Sequence, residues 1–78
     1  SIRLTLEIIL ETNNFDKIKE FEKVVNQIDL ISSFRIKKFT IAKNIYEIIY
    51  SGNPNSLIKK FSNFNITLIY DGEKWTIQ

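Results

Sequence analysis

The only side chains in this chain able to do acid–base work near neutral pH are its nine Asp and Glu, because it contains no His and no Cys. Imidazole bases, Ser-His-Asp and Cys-His triads, His or Cys metal sites and disulfides are therefore excluded within these 78 residues. The carboxylates that remain do not pair usefully. Glu7 and Glu11 share one face of an alternating segment, where four strand residues set them about 13 Å apart. Inverting glycosidases hold their two carboxyl groups about 6.5–9.5 Å apart. Asp16 and Glu20 are neighbours on a helix surface and read as solvated, and Asp71 is explained by the turn it opens with Gly72. No catalytic residue, metal ligand or cofactor site is assigned, and the chain is read as non-enzymatic.

Two further groupings could bind rather than react. Ser51-Gly52-Asn53-Pro54-Asn55-Ser56 leads into a helix N-terminus, where free amides could hold an anion. Pro54 lacks an N–H, however, and Asn53, Asn55 and Ser56 can cap the helix themselves. Arg35, Lys37, Lys38 and Lys43 cluster around one strand, and Lys59-Lys60 form a second basic pair. An RNA-recognition sheet stacks bases on aromatics of its central strands. Here those outward positions hold Arg3, Thr5, Glu7 and Ile9 on one strand and Ile45, Glu47 and Ile49 on another, with no aromatic among them. Lysines on an edge strand also serve to discourage edge pairing. Nucleic acid is therefore not expected as the partner. Asn65-Ile66-Thr67 has the form of a glycosylation acceptor, but with eight Asn in the chain coincidence accounts for it.

The length, 78 residues and 9.2 kDa, fits one domain spanning residues 1–78. The formal charge is +2, and Lys outnumbers Arg nine to two. With so many Ile and Asn, that bias suits an AT-rich coding sequence and explains a pI of about 9.0 without a basic partner. No apolar run approaches the roughly 18 residues of a membrane span. With no Met in the chain, Ser1 is read as the product of excision from a longer protein.

The elements follow from periodicity. Ile2, Leu4, Leu6, Ile8 and Leu10 alternate with polar residues, a strand with one apolar face. Phe15, Ile18, Phe21, Val25 and Ile28 recur at helical spacing, predicting a helix from about Asn14 to Asp29, with cap oxygens offered by Thr12, Asn13 and Asn14. Phe34, Ile36, Phe39 and Ile41 mark a second strand whose change of phase predicts a bulge near Lys37–Lys38. Lys43-Asn44 reads as a tight turn, and Ile45 to Tyr50 as a third strand facing inward with Tyr46, Ile48 and Tyr50. Pro54 then opens a helix carrying Leu57, Phe61 and Phe64. Ile66, Leu68 and Tyr70 begin a fourth strand, and Asp71-Gly72 predicts a two-residue hairpin placing Leu68 opposite Trp75 and Ile66 opposite Ile77. The order β-α-β-β-α-β, with a short C-terminal hairpin strand, predicts an α+β ferredoxin-like sandwich. In it an antiparallel sheet carries two helices on one face. The expected core is Leu4, Leu6, Ile8, Phe15, Ile18, Phe21, Val25, Phe34, Ile36, Tyr46, Ile48, Leu57, Phe61, Leu68 and Trp75.

From Phe15 onward, Tyr50-Ser51-Gly52, Leu57, Phe61, Ile66, Leu68, Gly72, Trp75 and Ile77 carry a resemblance to the C-terminal domain of an uncharacterised bacterial envelope-associated family, a domain of unknown function. That family is similar in its Tyr-x-Gly strand end, its Leu-anchored short helix and its closing Trp-x-aliphatic hairpin. This chain departs from it in having Phe21 and Phe61 at aliphatic positions and no Trp early in the first helix. The resemblance implies an envelope or periplasmic setting and no reaction.

One feature remains. Ile9, Ile45, Ile49 and Ile69 all fall on the sheet face away from the helices, which should be polar in a lone domain. They are the candidate partner surface, for a neighbouring domain or a weak homodimer, with Arg3, Glu7, Arg35 and Glu47 as its expected rim. The expectation is an interaction or structural module of a larger bacterial protein. A small-molecule-sensing regulatory domain is the alternative, and RNA binding a weaker one.

Overall fold

Alternation makes β1 (Leu4–Leu10) a strand whose Leu6, Ile8 and Leu10 are buried on the side that the helices cover. The computed structural model describes residues 2–78, so Ser1, on which the reading of an excised chain rests in part, lies outside them. Asn14 starts α1 (Phe15–Gln27): its side-chain oxygen accepts from the Asp16 and Lys17 amides at 2.9 and 3.3 Å. After β2 (Ile31–Phe39) and β3 (Asn44–Tyr50), Asn53 caps α2 (Pro54–Ser62) by accepting from the Ser56 amide at 2.8 Å. Pro54 stands at the first helical position, where its missing N–H costs nothing. The Ile66 amide donates to the Phe61 carbonyl and the Asn65 amide to that of Ser62, with Asn65 left-handed at φ 63°. This is a Schellman ending with Asn in the usual glycine place. Ile66, expected to begin the fourth strand, thus belongs to the helix ending, and that strand starts at Leu68. The chain closes with β4 (Leu68–Tyr70) and β5 (Trp75–Ile77).

The fold is α+β, with α1 and α2 packed on one face of a five-stranded sheet of order β2-β3-β1-β5-β4. The sheet is mixed, which corrects the expected antiparallel one: β1 pairs antiparallel with β3 but parallel with β5. The closing hairpin places its second strand beside β1 and leaves β4 at the edge. Burial explains the choice. β5 brings both Trp75 and Ile77 against the core, whereas β4 brings Leu68 alone and leaves Tyr70 half-exposed.

The hairpin register also differs from expectation. Leu68 faces Ile77 and Tyr70 faces Trp75. The Asp71 amide donates to the Lys74 carbonyl at 3.1 Å, so Gly72 and Glu73 are the central pair, with Gly72 at φ 99°. The Asp71 carboxylate accepts from the Glu73 and Lys74 amides at 2.9 and 2.8 Å, which requires Asp just before the central pair. Leu68, Trp75 and Ile77 still face the helices. Trp75, stacked on Tyr70 at 4.6 Å between ring centroids, is only partly buried. Trp75→Ala should therefore cost about 1–2 kcal/mol in urea unfolding, below the 3–5 kcal/mol of a fully buried aromatic.

In β2 an extra residue falls between Ile36 and Lys38, where the change of phase predicted it, and a second irregularity lies between Ile31 and Ser33. The following turn is not Lys43-Asn44. The Thr40 amide donates to the Lys43 carbonyl at 2.9 Å and the Lys43 amide to the Thr40 hydroxyl at 3.0 Å, leaving Ile41 and Ala42 at the tip. Asn44 opens β3 instead and is 1% exposed.

Phe21 centres the core, with ring centroids 4.9 Å from Tyr46, 5.7 Å from Phe61 and 6.3 Å from Phe34. Val24, Val25 and Ile28 extend that helix face, and Tyr50, Leu57 and Ile66 fill the other end. Two expected core residues lie outside it. Phe15, in the first turn of α1, is largely exposed with the Lys19 ammonium 5.0 Å from its ring centre. Ile36 stands half-exposed on the edge strand. Leu4, Ile18, Phe34 and Trp75 are partly buried and pack against the core from its margin.

Candidate interaction surface

With Leu6, Ile8 and Leu10 turned toward the helices, Thr5, Glu7 and Ile9 must point to the opposite face. Register then sets their neighbours. Ile9 lies opposite Ile45 on β3 and level with Thr76 on β5, and Thr76 lies opposite Ile69 on β4. Ile45, Ile9, Thr76 and Ile69 thus form one row across four strands. Ile49 is not part of it. Opposite Thr5 and Ser33, it is separated from that row by Arg35, Glu47 and Glu7, which line up across β2, β3 and β1. The structure therefore brings together Ile9, Ile45 and Ile69 and sets Ile49 apart. Glu7, Glu47 and Arg35, expected as a rim, form a band across the middle. Ile9 is buried although it lies outside the helix-side core, while Ile45, Ile49 and Ile69 keep intermediate exposure. Thr76, the link in the row, was hidden from sequence reasoning because it enters only through the parallel pairing of β5.

The band is internally neutralised. Arg35 Nε donates to Glu47 Oε1 at 2.9 Å, and Lys37, the bulged residue, reaches across β3 to Glu7 Oε2 at 2.6 Å. The hydrogen bond from Arg35, with its charge, holds the Glu47 carboxyl below its ordinary value of 4.5. The Lys74 and Glu73 amides hold Asp71 below its ordinary 3.8. On the helix side, Asn44 Nδ2 donates to the Tyr46 hydroxyl, which donates to Glu22 at 3.2 Å. Burial first, then Glu22, pushes the Tyr46 phenol above its ordinary 10.0 despite the opposing bond from Asn44.

These directions give a pH profile. A carboxyl with a depressed folded-state pKa contributes stability above its unfolded value and loses it as pH falls through the folded one. A phenol with a raised pKa contributes below its unfolded value and loses it as pH rises. Unfolding free energy should therefore be flat from about pH 5 to 9.5. It should fall on the acid side as Glu47 and Asp71 protonate and on the alkaline side as Tyr46 ionises. Urea titrations across pH check this, and Glu47→Gln should flatten part of the acid limb.

The other candidate groupings resolve into structure. At the start of α2, Asn53 serves as cap and Ser56 Oγ lies 2.7 Å from the Tyr50 hydroxyl. Lys60 stands 5.6 Å from the Tyr50 ring centre. Among the described residues no group of three or more Asp or Glu could hold a metal ion, and no helix is long and apolar enough to cross a membrane. A cleft of about 430 Å³ opens between the start of α1 and the loop after α2, with Leu10, Phe64, Ile66 and Ile77 alongside Glu11, Lys17 and Glu20.

Comparison of the chain with protein-family models, with curated proteins and with solved structures finds no match.

Proposed function

We propose that this domain is a non-enzymatic interaction module of a larger bacterial protein, docking its open sheet face on a neighbouring domain or a second copy of itself. The observation that carries the reading is the row Ile45, Ile9, Thr76 and Ile69, an apolar line on a face that no helix covers. The charge-paired band beside it would set the orientation of a partner without a net charge to overcome. The ferredoxin-like plan belongs to the same reading. The β-α-β-β-α order and the antiparallel β1–β3 pair support it, although β5 runs parallel to β1 where that plan has an antiparallel fourth strand. The envelope setting implied by the Tyr50-Ser51-Gly52 and Trp75-Thr76-Ile77 resemblance is likewise part of the proposal.

Ile45 and Ile69 are the residues to test, because Ile9 is too buried to change cleanly. Ile45→Ser with Ile69→Ser should lower the association measured by sedimentation equilibrium, in the chain alone or in a longer one. Its unfolding free energy should stay within about 1 kcal/mol of the parent. A loss above about 3 kcal/mol in a chain that is monomeric throughout would place these residues in the core and remove the surface.

The cleft by α1 supports a second reading, a small-molecule sensor, whose mark is a ligand-induced rise in Tm. Salt-dependent retention on single-stranded RNA would replace both readings.

A further inference from the structure

The tip of the β2–β3 hairpin adds little to the domain's own core. Phe39 is 69% exposed, Ile41 87% and Ile36 49%. A two-residue turn with no positive φ accepts polar residues at both central positions. Here Ile41 and Ala42 occupy them, in a loop already tied by the Thr40–Lys43 hydrogen bonds. Folding places no demand for isoleucine at that point.

The charge around the tip has one sign. Residues 36–43 carry Lys37, Lys38 and Lys43 and no Asp or Glu. Of the carboxylates on packed neighbours, Glu7 is bound to Lys37 and Glu22 accepts from the Tyr46 hydroxyl. Glu11, which follows the Leu10 partner of Asn44 and so lies nearest Lys43, forms no ion pair among the described residues. Lys38 and Lys43 enter no ion pair among the described residues. Phe39 pairs with Asn44 and Lys38 with Ile45, so the ring and the ammonium leave the strand on opposite sides.

We propose that this tip is a peripheral membrane contact: Phe39 and Ile41 enter the headgroup–acyl boundary of an anionic bilayer while Lys38 and Lys43 hold lipid phosphates. Exposed apolar side chains flanked by lysines are the chemistry of interfacial binding, and an anionic leaflet supplies the complementary charge. A side chain as exposed as Ile41 protrudes and offers no concave wall to a peptide, and an isoleucine gives a nucleobase no ring to stack on. The contact lies on the membrane surface and needs no spanning helix.

Co-sedimentation with phosphatidylcholine vesicles, with and without 30% phosphatidylglycerol, tests this. The anionic vesicles should bind on the order of tenfold to a hundredfold more tightly, with salt weakening the difference. Phe39→Ser with Ile41→Asp, and separately Lys38→Glu with Lys43→Glu, should each lose about tenfold or more. The charge-matched pair Lys59→Glu with Lys74→Glu, away from the tip, should lose less than about threefold. The tip positions are exposed, and unchanged thermal unfolding certifies each variant as folded. The proposal is overturned by no vesicle binding in the parent chain, by tip variants that bind as well as the parent, or by an equal loss in the control pair. Tip-dependent binding of RNA in place of vesicles overturns it too.

Discussion

Phe21→Ala should cost about 3–5 kcal/mol, enough to leave a 78-residue domain largely unfolded at room temperature. Phe21 is 1% exposed and stands where α1, α2 and the sheet meet: it stacks on Phe61 from α2, lies tilted against Tyr46 on β3 and meets Phe34 on β2 edge-on. Removing the ring leaves a cavity that three aromatic neighbours, held by different elements, cannot collapse to fill. Phe21→Leu should recover most of the loss, because it restores apolar volume without ring geometry. Guanidinium unfolding separates the two variants, and a loss below about 1 kcal/mol for Phe21→Ala would show the core to be centred elsewhere.

Gly52→Ala should destabilise by about 1–3 kcal/mol, through close approach rather than backbone conformation. A Cβ at residue 52 would come within 2.6 Å of Cε2 and 3.0 Å of Cζ of Tyr50. The ring cannot retreat easily. Tyr50 is fully buried, its hydroxyl is bonded to Ser56 and Lys60 covers it. Residues two apart on an extended chain share a face, so a tyrosine that ends β3 folds its ring over the backbone two positions later. That accounts physically for the Tyr50-Ser51-Gly52 spacing on which the family resemblance partly rests. In a double-mutant cycle, Tyr50→Leu should relieve most of the cost of Gly52→Ala. Additive losses would show that the ring is not the obstacle.

Local chemistry carried much of the fold into the sequence. Alternation marked β1 and β3, the Thr12-Asn13-Asn14 run and Asn53 marked the helix starts, and the phase change in β2 marked its bulge. What alternation cannot state is which strand lies beside which. It assigns Trp75 and Ile77 to a face and is silent on whether β4 or β5 meets β1, so the parallel pair was not legible. The same silence joined Ile49 to the isoleucine row, since sharing a face says nothing about the charged residues lying between. Asn44 was misread for a different reason. Asparagine is a common turn residue, and only burial beside Tyr46 shows it serving as a hydrogen-bond donor in a strand. Ile41 and Ala42 carry no turn signal at all, so their place at the tip was visible only in the structure.

The position of β5 has a consequence for the order in which the molecule can assemble. Ile8 and Trp75 are register partners 75 − 8 = 67 residues apart, whereas the β2–β3 hairpin is local. Pairing across so long a stretch pays its loop-closure entropy before any contact compensates it. The hairpin and α1 should accordingly form early, and the docking of β5 on β1 should limit the folding rate. Substitutions at Trp75 and Ile77 should then slow refolding as well as speed unfolding, since the docking they make is the rate-limiting step. Until that closure Ile8, Ile9 and Leu10 stand on an open strand edge, and this transient species is the one most exposed to mispairing with another chain.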